Sequence, residues 1–227
     1  MAKHGKRFTD ISKKAPTSAV SIEEAVAFIK ANPGAKFDET VDVAMRLGVD
    51  PKNSAQSVRG TVSLPNGTGK SVRVVVFAQG TQADDARAAG ADFVGFDDLL
   101  EKVKGGWTDF DVAIATAEAM KEVRKVARVL GPRGLMPNPR TGTVTEDTAA
   151  AVKASKAGKV EFRMSQQAAI CVPFGKLSFA VPALVQNAMA IYEAVNAERP
   201  AAVKGQYIRR ITVSSTMGVG LRVMIKE

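Results

Sequence analysis

The hydrophobic pattern of this chain changes twice, and that limits its folds more than any single motif. Over Thr40–Leu47 apolar and polar residues alternate: Val41, Val43, Met45 and Leu47 point one way, Thr40, Asp42, Ala44 and Arg46 the other. A period of two is a half-buried strand, here with Thr40 and Arg46 on the wet face. A second strand over 57–64 follows the Pro51 turn. After the turn cluster Pro65-Asn66-Gly67-Thr68-Gly69 the pattern becomes short apolar runs separated by helical stretches. Strands are expected at 72–77, 92–94 and 111–115, and helices at 81–89, 96–104, 116–129 and from Thr145-Glu146-Asp147 to Ala157-Gly158. Such alternation indicates βαβ units on a parallel sheet. Beyond Gly158 the alternating pattern returns, with strands at 159–164, 169–174, 207–214 and 221–226.

Helix signals fit the same plan. Ser21 followed by Glu24 is a capping box, opening a helix that Asn32-Pro33-Gly34 stops. Pro182 is tolerated in the first turn of a later helix whose stripe is Leu184, Ala188, Ile191, Tyr192 and Val195. The economical arrangement is discontinuous. Residues 1–66 and 160–227 form an α+β outer domain, an antiparallel sheet with helices. Residues 67–159 form an inserted α/β, Rossmann-like parallel-sheet domain. Pro65, Gly67 and Gly158 mark the two joints of a hinge.

Charge divides along the same boundary. The 227 residues carry a formal charge of +9. Residues 1–66 hold 10 basic and 7 acidic groups and residues 160–227 hold 8 and 4, so the outer domain is +7; the insert, with 14 and 12, is only +2. The positive field that favours an anionic partner belongs mainly to the outer domain.

Most catalytic chemistry lacks its residues. One cysteine, Cys171, excludes an internal disulfide and a Cys-rich zinc site, and His4 is the only histidine. No cofactor and no metal are expected. Cys171, between Ile170 and Val172, is expected to be a buried, inert thiol. Asp97, Asp98, Asp109 and Asp111 are not placed across a common cleft by anything in the sequence. Gly67-Thr68-Gly69-Lys70-Ser71 has the ending of a phosphate-binding loop, but Leu64 stands where the first Gly is needed and a strand follows in place of a helix. The N-terminus lacks the apolar run of a secretory signal, and the longest uncharged stretch, residues 177–192, contains Pro182, Gln186 and Asn187. A cytoplasmic protein without a membrane span is expected.

Three segments point to binding. Residues 131–142 place three Pro, three Gly, Arg133 and Arg140 in one connection and expose Leu135-Met136, either as a rigid joint or as a functional loop. Ser214-Ser215-Thr216-Met217-Gly218 offers hydroxyls, an exposed Met and a Gly that admits close approach. Arg210 and Arg222 share the wet faces of its flanking strands, a combination suited to an RNA backbone. Lys36-Phe37-Asp38-Glu39-Thr40 leads into the first strand. Alternation would send Phe37 inward with Val41; a strand starting only at Thr40 would free it to stack on sugar or base.

Those segments, together with Val58-Arg59-Gly60-Thr61-Val62-Ser63-Leu64-Pro65, resemble bacterial large-subunit ribosomal protein L-one, in order from about Phe8 to Ile225. The resemblance implies the split two-domain plan and a structural, non-enzymatic part in the large ribosomal subunit. The outer domain would grip a stem region of large-subunit rRNA, forming the mobile stalk at the tRNA exit site and helping release deacylated tRNA. The free protein, a monomer, would also bind its own operon mRNA and repress translation. The rRNA contacts carried over are Lys36, Phe37, Thr40, Arg163, Ser214, Thr216, Met217 and Gly218. Arg46, Arg133, Arg140, Arg210 and Arg222 are secondary RNA or tRNA contacts. The chain departs from the family at Met164-Ser165-Gln166-Gln167, where Asp-Lys is usual, at Cys171, where His is usual, and at Val219, where Pro is usual. The competing function class is a nucleotide-binding enzyme built on the insert.

Overall fold

The computed structural model describes residues 5–224, without the side chain of Ser54. In chain order its regular elements are α1 (Lys6–Lys14), α2 (Ile22–Ala31), β1 (Thr40–Leu47), β2 (Arg59–Ser63), β3 (Val74–Phe77), α3 (Thr81–Ala88), β4 (Phe93–Gly95), α4 (Asp97–Lys104), β5 (Val112–Ala115), α5 (Met120–Val123), α6 (Ala127–Leu130), α7 (Thr148–Lys156), β6 (Lys159–Arg163), β7 (Ala169–Lys176), α8 (Val181–Ala197), β8 (Ile208–Ser215) and β9 (Leu221–Val223). They divide into two compact units: the chain up to Gly69 with the chain from Val160 onward, and Lys70–Lys159. The expected strand continuation through Ile225 to Lys226 lies outside the described residues.

In the first unit, β7, β1, β8 and β9 form an antiparallel sheet in that order, and β2 pairs with β6. β1 is central, so its dry face is fixed from both sides: Val43 lies opposite Val172 on β7 and Val213 on β8. Helices α2 and α8 cover that face. Val26, Ile29, Leu184, Ile191 and Val195 join Val43, Met45, Ile170, Val172 and Phe174 in one core. Ser21 accepts the Glu24 N–H at 3.2 Å while Glu24 accepts the Ser21 N–H at 3.3 Å, the capping box expected at the start of α2.

The second unit is a parallel sheet in the order β4–β3–β5. Every residue of β3 is buried, because helices cover both faces. Val74 and Val76 pack with Ala83, Ala86 and Val152 of α3 and α7. Val75 and Phe77 pack on the opposite side with Leu99, Leu100, Val123, Val126 and Leu130. An antiparallel sheet with helices and a separate parallel sheet are the fold class the sequence predicts.

Two local expectations are corrected. The helix expected over 116–129 is three short pieces, with a 3₁₀ turn at Arg124–Val126 between α5 and α6. Val123 and Val126, three apart and both buried, are eclipsed on the core side by a three-residue turn, and β-branched residues lose little by leaving α geometry. Leu135 and Met136, expected to be exposed, are partly buried against the core that Leu130 anchors. Their loop is therefore packed on its apolar side and presents Arg133 and Arg140 on the other.

Two carboxylates tie the parallel sheet's N-terminal edge. Asp92 Oδ2 accepts the Val74 N–H at 2.9 Å and lies 3.3 Å from Lys156 Nζ. Asp111 Oδ2 accepts the Arg73 N–H at 3.0 Å. For each, the backbone hydrogen bond, from Val74 or Arg73, holds the carboxyl below the ordinary value of 3.8. A lowered folded value contributes stability that is complete above the unfolded value and lost as pH falls through the folded one. Acid titration of Trp107 fluorescence, which reports this unit, is therefore expected to show destabilisation as pH falls below 3.8, and Asp92→Asn should weaken that dependence.

Candidate RNA-binding site

The site is built where β1 begins and β8 ends. Antiparallel register brings Val41 opposite Ser215 and Asp42 opposite Ser214, so the lead-in to β1 and the Thr216-Met217-Gly218 turn meet at one corner. Thr40 and Thr216 join them. The Thr216 N–H donates to the Thr40 carbonyl at 3.0 Å, and the Thr40 N–H donates to Thr216 Oγ1 at 3.0 Å. Lys176 Nζ of the neighbouring β7 donates to Thr40 Oγ1 at 3.0 Å.

The residues before Thr40 are sorted by their own hydrogen bonds. Asp38 accepts from the Ser178 N–H at 3.1 Å and from its hydroxyl at 2.9 Å. Glu39 turns inward and is fully buried. With Asp38 tied sideways and Glu39 inside, Phe37 is left 57% exposed, and Met217 across the corner is 48% exposed. Lys36 is exposed beside Phe37. The strand starts at Thr40, so Phe37 is free of the core, the second of the two alternatives its position allowed.

The turn is fixed from beneath. Glu39 Oε2 accepts the Met217 N–H at 3.1 Å. Oε1 and the buried Ser215 hydroxyl form no hydrogen bond of normal geometry. Burial alone would raise this carboxyl, but the Ser215 hydroxyl and the N–H groups of Met217, Ala35 and Gly34 surround it and hold it below the ordinary value of 4.5. Close approach demands glycine at two points. A Cβ at Gly34 would stand 2.8 Å from the Met217 carbonyl oxygen, and one at Gly218 would stand 2.3 Å from Ser215 Oγ.

The wet face of the sheet continues from this corner. Arg46 lies directly opposite Arg210, and Thr212 opposite Arg222. All three arginines are exposed, and none forms an ion pair among the described residues. Between them lie small residues: Ala44 has Cys171 on one side and Thr212 on the other. Cys171 is exposed, which corrects its expected burial. Strict alternation decides the matter, since Ile170 and Val172 face the core and the residue between them must face water.

Lys36, Phe37, Thr40, Ser214, Thr216, Met217 and Gly218 thus share one corner, with Arg46, Arg210 and Arg222 on the adjoining sheet face. Arg163 does not join them by strand pairing; it is exposed on β6, in the two-stranded sheet. Arg133 and Arg140 belong to the other unit, where Arg133 donates to Thr108 Oγ1. The joint residues are held unequally. Asn187 Oδ1 accepts the Asn66 N–H at 3.0 Å, and its Nδ2 donates to the Gly67 carbonyl at 3.0 Å and to the Phe174 carbonyl at 2.8 Å. Asn66 and Gly67 are therefore anchored on α8, and the division between units falls after Gly69. On the return strand Gly158 takes a φ of 104°.

The residues missed by sequence reasoning are Glu39 and Asn187. Both are polar and fully buried, a state that pattern reading never assigns to such residues by default. The nucleotide-site alternative loses its geometry: Lys70-Ser71 is followed by β3, with no helix N-terminus to receive a phosphate. Among the described residues no helix is long and apolar enough to cross a membrane, and no cluster of potential metal ligands occurs.

An exposed aromatic, Phe37, and an exposed thioether, Met217, thus stand on one corner, beside a sheet face whose three arginines form no ion pair among the described residues. The chain belongs to the ribosomal protein L1p/L10e family, whose model matches residues 28–219. It is 53% identical over 224 residues to the large ribosomal subunit protein uL1 of Lactobacillus acidophilus, covering 98% of this chain and 97% of that protein. Its identity to the uL1 protein of Azoarcus sp. is 54% over 224 residues, with the same coverage, and to that of Protochlamydia amoebophila 50% over 228 residues, covering 100% and 97%. This is a family of ribosomal proteins, not of enzymes.

Proposed function

We propose that the protein is a component of the large ribosomal subunit that binds a folded stem region of large-subunit rRNA through the corner of its outer unit. The observation that carries this reading is the pairing of exposed Phe37 and Met217 on either side of the Thr40–Thr216 hydrogen bonds. Apolar groups held at fixed positions read shape, whereas flexible cations alone do not. Lys36, Thr40, Ser214, Thr216 and Gly218 supply polar and backbone groups around them, and Arg163 approaches the same RNA from the two-stranded sheet. By the family resemblance, the bound protein is part of the mobile stalk at the tRNA exit site and helps release deacylated tRNA, with Arg133 and Arg140 contacting RNA or tRNA. The free protein is a cytoplasmic monomer that represses translation by binding its own operon mRNA. The two units move about joints after Gly69 and at Gly158.

Arg46, Arg210 and Arg222 make a separate, electrostatic contribution. Like charges directly across an antiparallel pair repel, and an anion lying over Arg46 and Arg210 would relieve that repulsion. Replacing any one of the three by Gln is expected to reduce the dependence of log affinity on log salt by ~0.7–0.9. For Arg46→Gln or Arg210→Gln, thermal stability of the free protein should hold or rise. Filter binding of an rRNA stem fragment at several salt concentrations measures the first effect, and thermal unfolding the second. An unchanged slope in all three variants would remove the sheet face from the interface.

A further inference from the structure

We propose that Glu39 is the positioning residue of the RNA site: its buried carboxylate holds the Thr216-Met217-Gly218 turn in the shape that meets the ligand. The proposal rests on the RNA-binding reading and adds to it a residue that makes no contact with RNA itself. A carboxylate with no exposed surface is costly, since burial strips its water. It is tolerated here because the Met217 N–H donates to Oε2 at 3.1 Å from a distant part of the chain, and the backbone N–H groups of Ala35 and Gly34 favour the charged form. No other described acidic residue is fully buried.

The consequence is mechanical. An unrestrained five-residue connection between β8 and β9 would sample many conformations, and binding would then incur the entropy of ordering it. Three observations oppose that freedom. Glu39 takes the Met217 N–H, Thr40 takes the Thr216 N–H, and the Met217 carbonyl lies so close to Gly34 that a methyl group there would collide with it. Thr40 holds the turn at Thr216, and Glu39 holds it at the next residue, Met217. Met217 therefore projects its side chain outward from a backbone fixed on three sides. Charge matters as well as shape. A carboxylate only accepts, which suits the Met217 N–H, whereas a neutral amide can turn its own N–H groups toward that donor.

The tests use the full chain. In the free wild-type protein, the Met217 amide is expected to exchange with solvent at least tenfold more slowly than that of Val219 in the same connection. Rapid exchange at both would overturn the proposal without any variant. Glu39→Gln preserves size and removes the charge. Its affinity for an rRNA stem fragment is expected to fall roughly tenfold to a hundredfold, the scale of a lost charge-assisted hydrogen bond. Its salt slope should be unchanged, because no phosphate contact is removed. Combined with Met217→Ala, the loss should be smaller than the product of the two separate losses; combined with Arg222→Gln, the losses should multiply. A general loss of folding would lower the unfolding temperature and give the same factor in both pairings, which overturns the proposal. Gly34→Ala, which displaces the turn sterically and leaves the charge in place, should reproduce the affinity loss; wild-type affinity there would count against the mechanism. Wild-type affinity in Glu39→Gln overturns the proposal alone. Failure of the wild-type chain to bind the fragment overturns the RNA reading and the proposal with it.

Discussion

Met217→Asp is expected to lower affinity for a folded rRNA stem fragment about a hundredfold or more while leaving the protein's unfolding temperature within a degree or two of wild type. Met217 is 48% exposed, so the fold does not depend on its side chain. Its backbone is fixed by Glu39, which leaves the new carboxylate unable to swing away from the RNA surface. The substitution removes an apolar contact and places a negative charge against phosphates; a central, well-packed interface residue commonly carries about 2 kcal/mol or more, and the repulsion adds to that. Thr216→Val should act in the same direction with a smaller effect, since Thr216 Oγ1 accepts the Thr40 N–H and valine cannot. Equal binding by Met217→Asp in a filter-binding titration would exclude this turn from the interface.

Asn187→Ala is expected to destabilise the outer unit by ~3 kcal/mol. The Asn187 amide satisfies three backbone groups, the Asn66 N–H and the carbonyls of Gly67 and Phe174, from a position with no exposed surface. Removing it leaves buried polar groups unpaired, at about 1–3 kcal/mol for each that water cannot reach. The chain provides its own reporters for the two units. Its one tryptophan, Trp107, lies in the parallel unit, and its two tyrosines, Tyr192 and Tyr207, lie in the outer one. In urea, the tyrosine signal should shift to a lower midpoint in Asn187→Ala, while the Trp107 transition moves much less. Equal shifts in both signals would mean that the two units unfold as one.

The sequence was most legible where one period governed many residues. β1 runs over Thr40–Leu47 with the alternation read from the residues alone, because a central strand buried on one face leaves no freedom of register. The capping box at Ser21–Glu24 and the buried run of β3 were equally clear, since each depends on short-range chemistry. Failures came where tertiary packing overrode local character. Cys171 sits among apolar neighbours, a context that favours burial, yet the pleat sends it to water. The loop context of Leu135 and Met136 favours exposure, yet both pack against the neighbouring core. Phe37 had two outcomes that turned on where the strand began, and the hydrogen bonds of Asp38 to Ser178, 140 residues away, decided it. Glu39 carries no signal of its role in the sequence, because a buried carboxylate is recognisable only once its partner, the Met217 N–H 178 residues away, is in place.

The candidate site shows the same division. Its residue types are visible in the sequence as hydroxyls, arginines, one Phe and one Met. Their meeting at one corner depends on β1 pairing with β8 across more than 170 residues of chain, as the Thr40–Thr216 bond shows. The arginine face likewise exists only through register, which places Arg46 opposite Arg210. In the proposed function, charge supplies attraction for any polyanion there, whereas the fixed corner supplies choice.

That distinction is best tested by competition between two RNAs of equal length, a folded large-subunit rRNA stem fragment and a scrambled strand, at low and high salt. Counterion release acts on both alike, so both affinities are expected to fall as salt rises. Preference for the folded fragment is expected to persist at about the same ratio at both salt concentrations. Equal affinities that fall together, with no preference at either salt, would contradict recognition by the Phe37–Met217 corner.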